Sequence, residues 1–157
     1  MKFIDVLGEE KEFDCMGCDI ANHRMIPPGG YVYEDNLINI SADPAIPIPG
    51  FMILGIKKHV KSINELTTEE RYNIIDILNK TISKIKECNI SEEVLVIQEE
   101  RSEHFHIWIL PIYEWMNQFD KSVFNIDKII NYSKEKVNDN VRKEIIRCVE
   151  VLKQSFI

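Results

Sequence analysis

The sequence contains no long uninterrupted apolar run. Its fully apolar stretches are far shorter than the roughly 18–20 residues that a membrane-spanning helix needs, so we predict no membrane span. The first ten residues show neither the apolar stretch nor the cleavage site of a secretory signal. These absences predict a cytoplasmic protein without a membrane partner.

Positive charge is also scarce. Lysine and arginine number 19 against 26 aspartate and glutamate residues, which gives a formal net charge of −7. This balance argues against a nucleic-acid-binding surface, which needs a basic patch, but a few well-placed donors can still capture one small phosphate group. The 157 residues, 45% of them hydrophobic, include no internal repeat or long linker, so we expect a single domain over residues 1–157.

Cysteine is sparse, and two of the four cysteines stand close together, whereas Cys88 and Cys148 are isolated. Without a secretion signal we expect reduced thiols, so Cys15-x-x-Cys18 suggests metal or redox chemistry before a disulfide. A thioredoxin-like pair is disfavoured because neither a preceding strand nor a βαβ frame is evident. Two thiolates at this spacing supply half of a tetrahedral zinc site, for which His23 is a nearby candidate ligand. The alternative is a reduced pair without a metal.

The apolar pattern predicts both strands and helices. The Pro-Pro-Gly-Gly sequence at 27–30 predicts a turn. Three prolines within 43–50 exclude a central strand there and predict an ordered loop. Alternation and apolar content predict four strands, at 31–40, 51–56, 94–98 and 105–110. Strands joined by short links, with helices at one side, favour an α+β fold over a wound parallel sheet.

A long helix is predicted after the second of these strands. Thr67 and Glu70 have capping-box spacing, and Asn89 offers a stop just after Cys88. Past Pro111 the pattern is again helical, which predicts additional C-terminal helices. The long helix carries one apolar stripe at spacings of three and four, formed by Ile74, Ile75, Leu78, Ile82 and Ile85.

Two of the four histidines lie on one predicted strand. Because successive side chains of a strand point to opposite faces, His104, His106 and Trp108 share one face, and the face carrying Phe105 and Ile107 is core. Imidazole is a competent nucleophile and acid–base group near neutral pH, and a rigid strand holds it well. The alternative is a pair of half-exposed histidines without a role.

Several motifs together resemble the histidine triad (HIT) family. The central one is His104-Phe105-His106-Ile107-Trp108-Ile109-Leu110-Pro111, in which histidines alternate with apolar residues. The other matching residues follow in the family's order and at the spacing of bacterial members: Cys15-Met16-Gly17-Cys18, Tyr33-Glu34-Asp35, Asp43, Gly50, Lys57-Lys58-His59 and Glu65-Leu66-Thr67. The resemblance covers roughly residues 15–113 and leaves residues 114–157 as a C-terminal helical extension.

The resemblance implies a histidine-triad-like antiparallel sheet of about five strands, commonly dimeric through sheet extension. It also implies hydrolysis or transfer of nucleotide conjugates such as dinucleoside polyphosphates and nucleoside phosphoramidates. His106 matches the nucleophile that forms a covalent nucleotidyl-histidine, and His104 matches the histidine that orients it. Asp43 matches the residue that accepts hydrogen bonds from ribose, with Ile40 and Leu54 near the base.

The resemblance also concerns the metal and the phosphate. His59 matches a histidine near the scissile phosphate, yet His59 and His104 are also the residues that complete a zinc site with the cysteine pair in bacterial members. Zinc held this way would be structural and would brace the nucleophile strand through His104.

Two positions depart from the family. The third triad position is Trp108, whose indole can only donate a hydrogen bond and takes no proton from a leaving group. The segment before the triad, residues 99–103, is acidic and would repel a phosphate, although Arg101 could clamp one. The sequence therefore allows two alternatives to an enzyme: a nucleotide-binding module without turnover, and a zinc-stabilised interaction protein.

Overall fold

The computed structural model describes residues 1–120 and 125–157. Residues 121–124, part of the predicted C-terminal extension, lie outside the described residues. The strands are β1 (Lys2–Ile4), β2 (Glu10–Glu12), β3 (Tyr31–Glu34), β4 (Ile38–Ala42), β5 (Met52–Ile56), β6 (Val94–Gln98) and β7 (His106–Pro111), and the helices are α1 (Met16–Ala21), α2 (Thr68–Glu87), α3 (Ile126–Lys136) and α4 (Asp139–Ser155).

A five-stranded antiparallel sheet lies at the centre, in the order β3-β4-β5-β7-β6, and β1 pairs with β2 in a separate hairpin. This architecture confirms the predicted α+β fold with about five strands. Two rows of residues cross the sheet and define its site face: Asn39, Gly55 and His106 in one row, and Ser41, Ile53 and Trp108 in the next.

The opposite face of the sheet is the main hydrophobic core. It is covered by apolar residues of α2 and α4, so the C-terminal helix α4 belongs to the same core as the sheet. Phe105, Ile107 and Ile109 are buried there as predicted. The strand and helix residues that meet in this core include Ile38, Ile40, Leu54, Ile56, Ile74, Ile77, Ile85, Ile145, Val149 and Leu152.

Helix α2 begins and ends where the sequence predicts. Both hydrogen bonds of the Thr67–Glu70 capping box are present, and Asn89 takes a left-handed φ of 56° just after the helix. The predicted stripe was wrong in part, because Ile75 is 56% exposed. The buried positions are Ile74, Ile77, Thr81 and Ile85, so the helix is rotated relative to the predicted stripe.

The prediction of one strand over 31–40 was wrong, because this segment forms the hairpin β3–β4. Asp35 makes the turn, since its Oδ1 accepts hydrogen bonds from the backbone N–H groups of Leu37 and Ile38, both at 2.7 Å. The long helix consequently follows the third strand of the sheet. Strand β7 begins at His106, so His104 lies just before the strand and not in it.

The predicted loop at 43–50 contains no strand or helix, in line with its prolines. Two short 3-10 helices lie at Ile63–Glu65 and Glu114–Phe119. Within the described ranges 1–120 and 125–157, no helix is long and apolar enough to cross a membrane.

Candidate active site and metal centre

The cysteine pair meets two histidines that are distant in sequence. Cys15 caps the N-terminus of α1 and Cys18 lies in its first turn, while His59 and His104 reach the same point from beyond β5 and from before β7. The Cys15 Sγ lies 3.5 Å from Nδ1 of His59 and of His104. The Cys18 Sγ lies 3.1 Å from His59 Nδ1 and 3.4 Å from His104 Nδ1. All four ligand atoms lie within 4.8 Å of one another.

These separations fit one tetrahedral zinc ion. With Zn–S near 2.3 Å and Zn–N near 2.0–2.1 Å, tetrahedral geometry separates sulfur from nitrogen by about 3.6 Å. Two thiolates and two imidazoles are also a typical donor set of structural zinc sites. The four side chains, Cys15, Cys18, His59 and His104, could therefore hold a metal such as zinc.

The second nitrogen of His104 explains why its Nδ1 is available to a metal. His104 Nε2 lies 2.5 Å from the Ile56 carbonyl, which can only accept, so Nε2 carries the proton and Nδ1 keeps its lone pair. Burial lowers the pKa of His104 and keeps the ring neutral, as a metal ligand must be. Burial likewise raises the pKa of the Cys18 thiol when no cation is bound.

His23, the alternative ligand weighed from the sequence, is not part of this cluster. Its Nε2 lies 2.9 Å from a carboxylate oxygen of Glu34, and its ring stacks on Tyr31 with centroids 4.5 Å apart. The positive φ of 57° at His23 turns the chain after α1. The fold thus directs His23 to a contact with Glu34 of β3 and away from the cysteines.

The geometry at His106 determines which nitrogen carries the proton. Nδ1 lies 2.9 Å from the His104 carbonyl, an acceptor only, so Nδ1 donates. Nε2 lies 3.1 Å from Nε1 of Trp108, and because an indole can only donate, Nε2 is the acceptor. His106 therefore has its proton on Nδ1 and a lone pair on Nε2. The same His104 residue positions this ring through its carbonyl and reaches the metal cluster through its side chain.

A cavity of about 350 Å³ lies on the site face of the sheet beside His106. Its walls come from α1, β4, β5 and the segment before β7, and Met1 and Phe13 of the N-terminal hairpin region close one side. The ionisable side chains around it are acidic, histidine or cysteine, and the described lining residues include no lysine or arginine. A phosphate group here would therefore be held by donors other than lysine or arginine, such as backbone N–H groups, neutral side chains or histidine.

Two polar residues of the cavity were missed in the sequence. Asn39 and Ser41 are only 3% and 2% exposed, yet among the described residues neither side chain makes a hydrogen bond, and both line the cavity. Gly55 separates Asn39 from His106 in the sheet and leaves room above the backbone, since a Cβ there would lie 2.8 Å from Asn39 Oδ1. The sequence pattern that could have identified them is the alternation in Ile38-Asn39-Ile40-Ser41, which places two polar side chains on one face of the strand.

The same alternation corrects the expectation about the base. Ile40 and Leu54 are fully buried in the core on the helix side, so they cannot contact a ligand in the cavity. The sheet residues that line the cavity are Asn39, Ser41, Ile53, Gly55 and His106. Because successive residues of a strand point to opposite faces, Ile40 faces the core while Asn39 and Ser41 on either side of it face the cavity.

Asp43 lies at the cavity wall and also shapes the loop after β4. Its Oδ1 accepts hydrogen bonds from the backbone N–H groups of Ala45 and Ile46, both at 2.8 Å. Burial raises the pKa of Asp43, and these two N–H groups oppose the increase. Within the described part of the chain Oδ2 accepts no hydrogen bond, so one oxygen supports the loop and the other remains for a ligand.

Solved structures with the same fold are histidine triad proteins. A Hit-like protein involved in cell-cycle regulation from Bartonella henselae matches with a TM-score of 0.65 at 14% identity, over 92% of this chain and 99% of that one. A hypothetical histidine triad nucleotide-binding protein from Sulfolobus tokodaii matches with a TM-score of 0.65 at 15% identity, over 90% and 93%. A HIT family hydrolase from Legionella pneumophila matches with a TM-score of 0.53 at 20% identity, over 64% and 95%.

Sequence comparison extends this likeness beyond the fold. The chain is 27% identical over 120 residues to an uncharacterized HIT-like protein of Methanocaldococcus jannaschii, across 72% of this chain and 92% of that protein. The chain is therefore HIT-like in its fold, and its sequence is distantly similar to that of a HIT-like protein. No family model matches the sequence.

Arg101 lies apart from the site in this HIT-like chain. Its side chain is 92% exposed, and its Nε pairs with a Glu99 oxygen at 2.6 Å. Glu103, by contrast, lines the cavity. The contact of Arg101 with phosphate stays a prediction, as does the contact of His59, whose Nδ1 lies in the metal cluster.

Proposed function

We propose that this chain is a hydrolase or nucleotidyl transferase that acts on nucleotide conjugates through a covalent nucleotidyl-His106 intermediate. One observation supports this most directly: an unprotonated Nε2, fixed by the His104 carbonyl behind it, lies on a residue that lines a cavity of about 350 Å³. Cavities of roughly 300–1,000 Å³ are typical of small-molecule sites. The substrates are dinucleoside polyphosphates or nucleoside phosphoramidates.

The His104 carbonyl has a role throughout this reaction. When Nε2 bonds to phosphorus, the imidazole becomes cationic, and the proton on Nδ1 becomes a stronger donor. The carbonyl at 2.9 Å is already placed to accept that stronger hydrogen bond. His104 is thus a positioning residue that stabilises charge as it develops on His106.

The cavity beyond His106 holds the nucleoside. Antiparallel strands lie about 4.8 Å apart, so the Asn39 and His106 backbones, two strands apart, are separated by roughly 10 Å across Gly55. That span accommodates a nucleoside between the reacting phosphorus and the Asn39 and Ser41 side chains. Asp43 Oδ2 accepts hydrogen bonds from the ribose hydroxyls, while Oδ1 stays with its loop.

The metal in this proposal is a structural zinc bound by Cys15, Cys18, His59 and His104. A structural zinc contributes folding free energy directly. Here it also links α1 to the segment that positions His106, because His104 serves the metal with its ring and His106 with its carbonyl. The cysteines are held reduced, as in the cytoplasm.

We propose further that the chain forms a homodimer through β6. This strand is at one edge of the sheet, its sequence Val94-Leu95-Val96-Ile97-Gln98 carries no charge, and Val96 is 40% exposed. An apolar edge strand without a charge offers unpaired backbone groups to a second strand. In such a dimer, β6 pairs with the β6 of a second copy about a twofold axis, and the unpaired backbone groups of both β6 strands become hydrogen-bonded.

A second candidate function is a nucleotide-binding module without turnover. It is favoured by the hydrogen bond that Trp108 donates to the Nε2 lone pair, which engages the attacking atom. Both candidates predict nucleotide binding, and only the enzyme predicts an adduct. A zinc-stabilised interaction protein predicts neither.

Intact-mass spectrometry after brief incubation with diadenosine tetraphosphate distinguishes these functions. We expect an adenylyl adduct and turnover that both disappear in His106→Ala, with turnover reduced by several orders of magnitude. His23→Ala is the matched control, because His23 lies outside the cavity, and it should keep the adduct. A tenth of the wild-type rate in pure His106→Ala would reject the nucleophile, and binding without adduct would support the module.

A further inference from the structure

We propose that this site selects substrates whose leaving group departs without a proton, so that it cleaves phosphoric anhydrides and not phosphoramidates. The inference rests on the proposed function and narrows it to one substrate class. It is drawn from the contact between Trp108 and His106.

The indole of Trp108 is held against His106 from two sides. Its Nε1 lies 3.1 Å from His106 Nε2, and its ring meets Phe51 edge to face, with centroids 5.3 Å apart and an angle of 81°. Trp108 also packs against a second apolar cluster, whose members include Ile46, Ile48, Leu110 and Met116. The half-buried ring is therefore fixed by packing as well as by its hydrogen bond.

This contact places a donor, and not an acid, beside the reacting phosphorus. An indole N–H donates a hydrogen bond but has no acceptor nitrogen and does not release its proton near neutral pH. As phosphorus bonds to Nε2, the lone pair is consumed, and the Nε1–H turns to a non-bridging phosphoryl oxygen. Trp108 can thus stabilise charge on the phosphoryl group, yet it cannot protonate what leaves.

The neighbouring titratable groups are exposed or bonded to other partners. Glu99, which is close enough to interact with the charge of His106, is paired with Arg101 at 2.6 Å. The His106 Nδ1 proton is held by the His104 carbonyl, and His104 and His59 point their Nδ1 atoms at the cysteines. Of the acids at the cavity, Asp14 and Glu103 are exposed, and Asp43 binds its own loop through Oδ1. Asp43 is the one half-buried carboxyl among them, so the experiment below tests it.

The bond changes separate the two substrate classes. With an anhydride, the Nε2 pair forms a P–N bond and the bridging P–O bond breaks, leaving its electron pair on a phosphate oxygen. A phosphate with a second pKa near 6 carries that charge unaided at neutral pH. With a phosphoramidate, the broken P–N bond would leave its pair on an amine nitrogen, which requires a proton in the same step.

The second step needs no acid from the protein in either case. Water attacks phosphorus, the bond to His106 breaks, and its electron pair returns to Nε2. The water proton passes to solvent or to the phosphate product. Selection therefore occurs in the first step, where the leaving group departs.

The decisive measurement compares two substrates with the same adenylyl group, diadenosine tetraphosphate and adenosine 5′-phosphoramidate. General acid catalysis typically contributes 10²–10⁴-fold, so the zinc-loaded wild type should show kcat/KM higher for the anhydride by about that factor. Trp108→His supplies a group that can give up a proton and should raise phosphoramidate turnover at least tenfold. Trp108→Phe keeps an aromatic ring without the N–H and should keep the preference while slowing the anhydride.

Three results would overturn the inference. One is wild-type turnover of the phosphoramidate within tenfold of the anhydride, and another is such turnover lost selectively in Asp43→Asn, which would make Asp43 the acid. The third is a flat dependence of rate on phenol acidity across a series of adenosine 5′-aryl phosphates, where we expect a steep one. Absence of both adduct and anhydride turnover in the wild type would instead reject the proposed function itself.

Discussion

The approach of Gly17 to His104 makes Gly17→Ala a sharp test of the metal centre. A Cβ on Gly17 would lie 2.4 Å from Cγ, 2.6 Å from Cδ2 and 2.7 Å from Nδ1 of His104. Favourable contacts between carbon atoms begin near 3.5 Å, so the imidazole has to move by about 1 Å. His104 has little freedom to do so, because it is 4% exposed and its Nε2 is bonded to the Ile56 carbonyl.

A shift of this size is large against the tolerance of a zinc site, in which ligand distances hold to within about 0.2 Å. Disturbing the orientation of a ligand typically costs 10–100-fold in metal affinity, and we expect at least that loss. It corresponds to about 1.4–2.8 kcal/mol, at 1.4 kcal/mol per tenfold. Helix propensity acts in the opposite direction, since alanine is favoured over glycine by about 0.8–1.0 kcal/mol inside a helix.

Zinc affinity is measured by competition with a chromophoric chelator, and thermal unfolding is followed with and without zinc. We expect Gly17→Ala to bind zinc more weakly and to lose part of the stabilisation that zinc gives the wild type. Met16→Ala, a change at the adjacent residue of α1 that adds no atom near His104, serves as the control and should bind zinc normally. Unchanged zinc affinity in Gly17→Ala would refute the arrangement of these four ligands.

Three further predictions follow from the site and from the sheet edge. The double change Cys15→Ser and Cys18→Ser should reduce zinc below one per chain and lower Tm, whereas Cys88→Ser should leave the zinc content at one by elemental analysis. Asp43→Asn keeps the Oδ1 acceptor for the loop and should weaken ribonucleotide binding about ten- to a hundredfold, as expected for one charge-assisted hydrogen bond of roughly 1.5–3 kcal/mol. The affinity for a 2′-deoxy ligand should fall less on this change. Affinity losses that are strictly additive between the substitution and the missing hydroxyl would reject the ribose contact. Val96→Lys places a charge on the edge strand and should convert a dimer to a monomer in light scattering; a wild-type monomer would contradict the proposed pairing.

Local patterns in the sequence determined much of this fold. The Thr67–Glu70 capping box and Asn89 marked the ends of α2, because caps are formed by residues within one turn of each other. The period of two in the predicted strand over 105–110 separated the core side of Phe105 and Ile107 from the side of His106 and Trp108. These features depend on neighbours along the chain, and the chain order alone specifies them.

The tertiary structure decided which distant residues meet. Cys15 and His104 are 89 positions apart, and only the packing of α1 against β5 and the segment before β7 places the sulfur 3.5 Å from Nδ1. The exposure of Ile75 likewise depends on how α2 lies on the sheet, which the stripe of similar isoleucines left open.

The cavity itself also exists only in three dimensions. Asn39, Gly55 and His106 come from three strands, and the pairing register sets them in one row on the site face. The proton on His106 is assigned by two partners, the His104 carbonyl and the Trp108 indole, whose distances no periodicity predicts. The sequence placed His106 on a strand, and the folded arrangement decided which of its nitrogens is free of a proton and which donor stands in front of it.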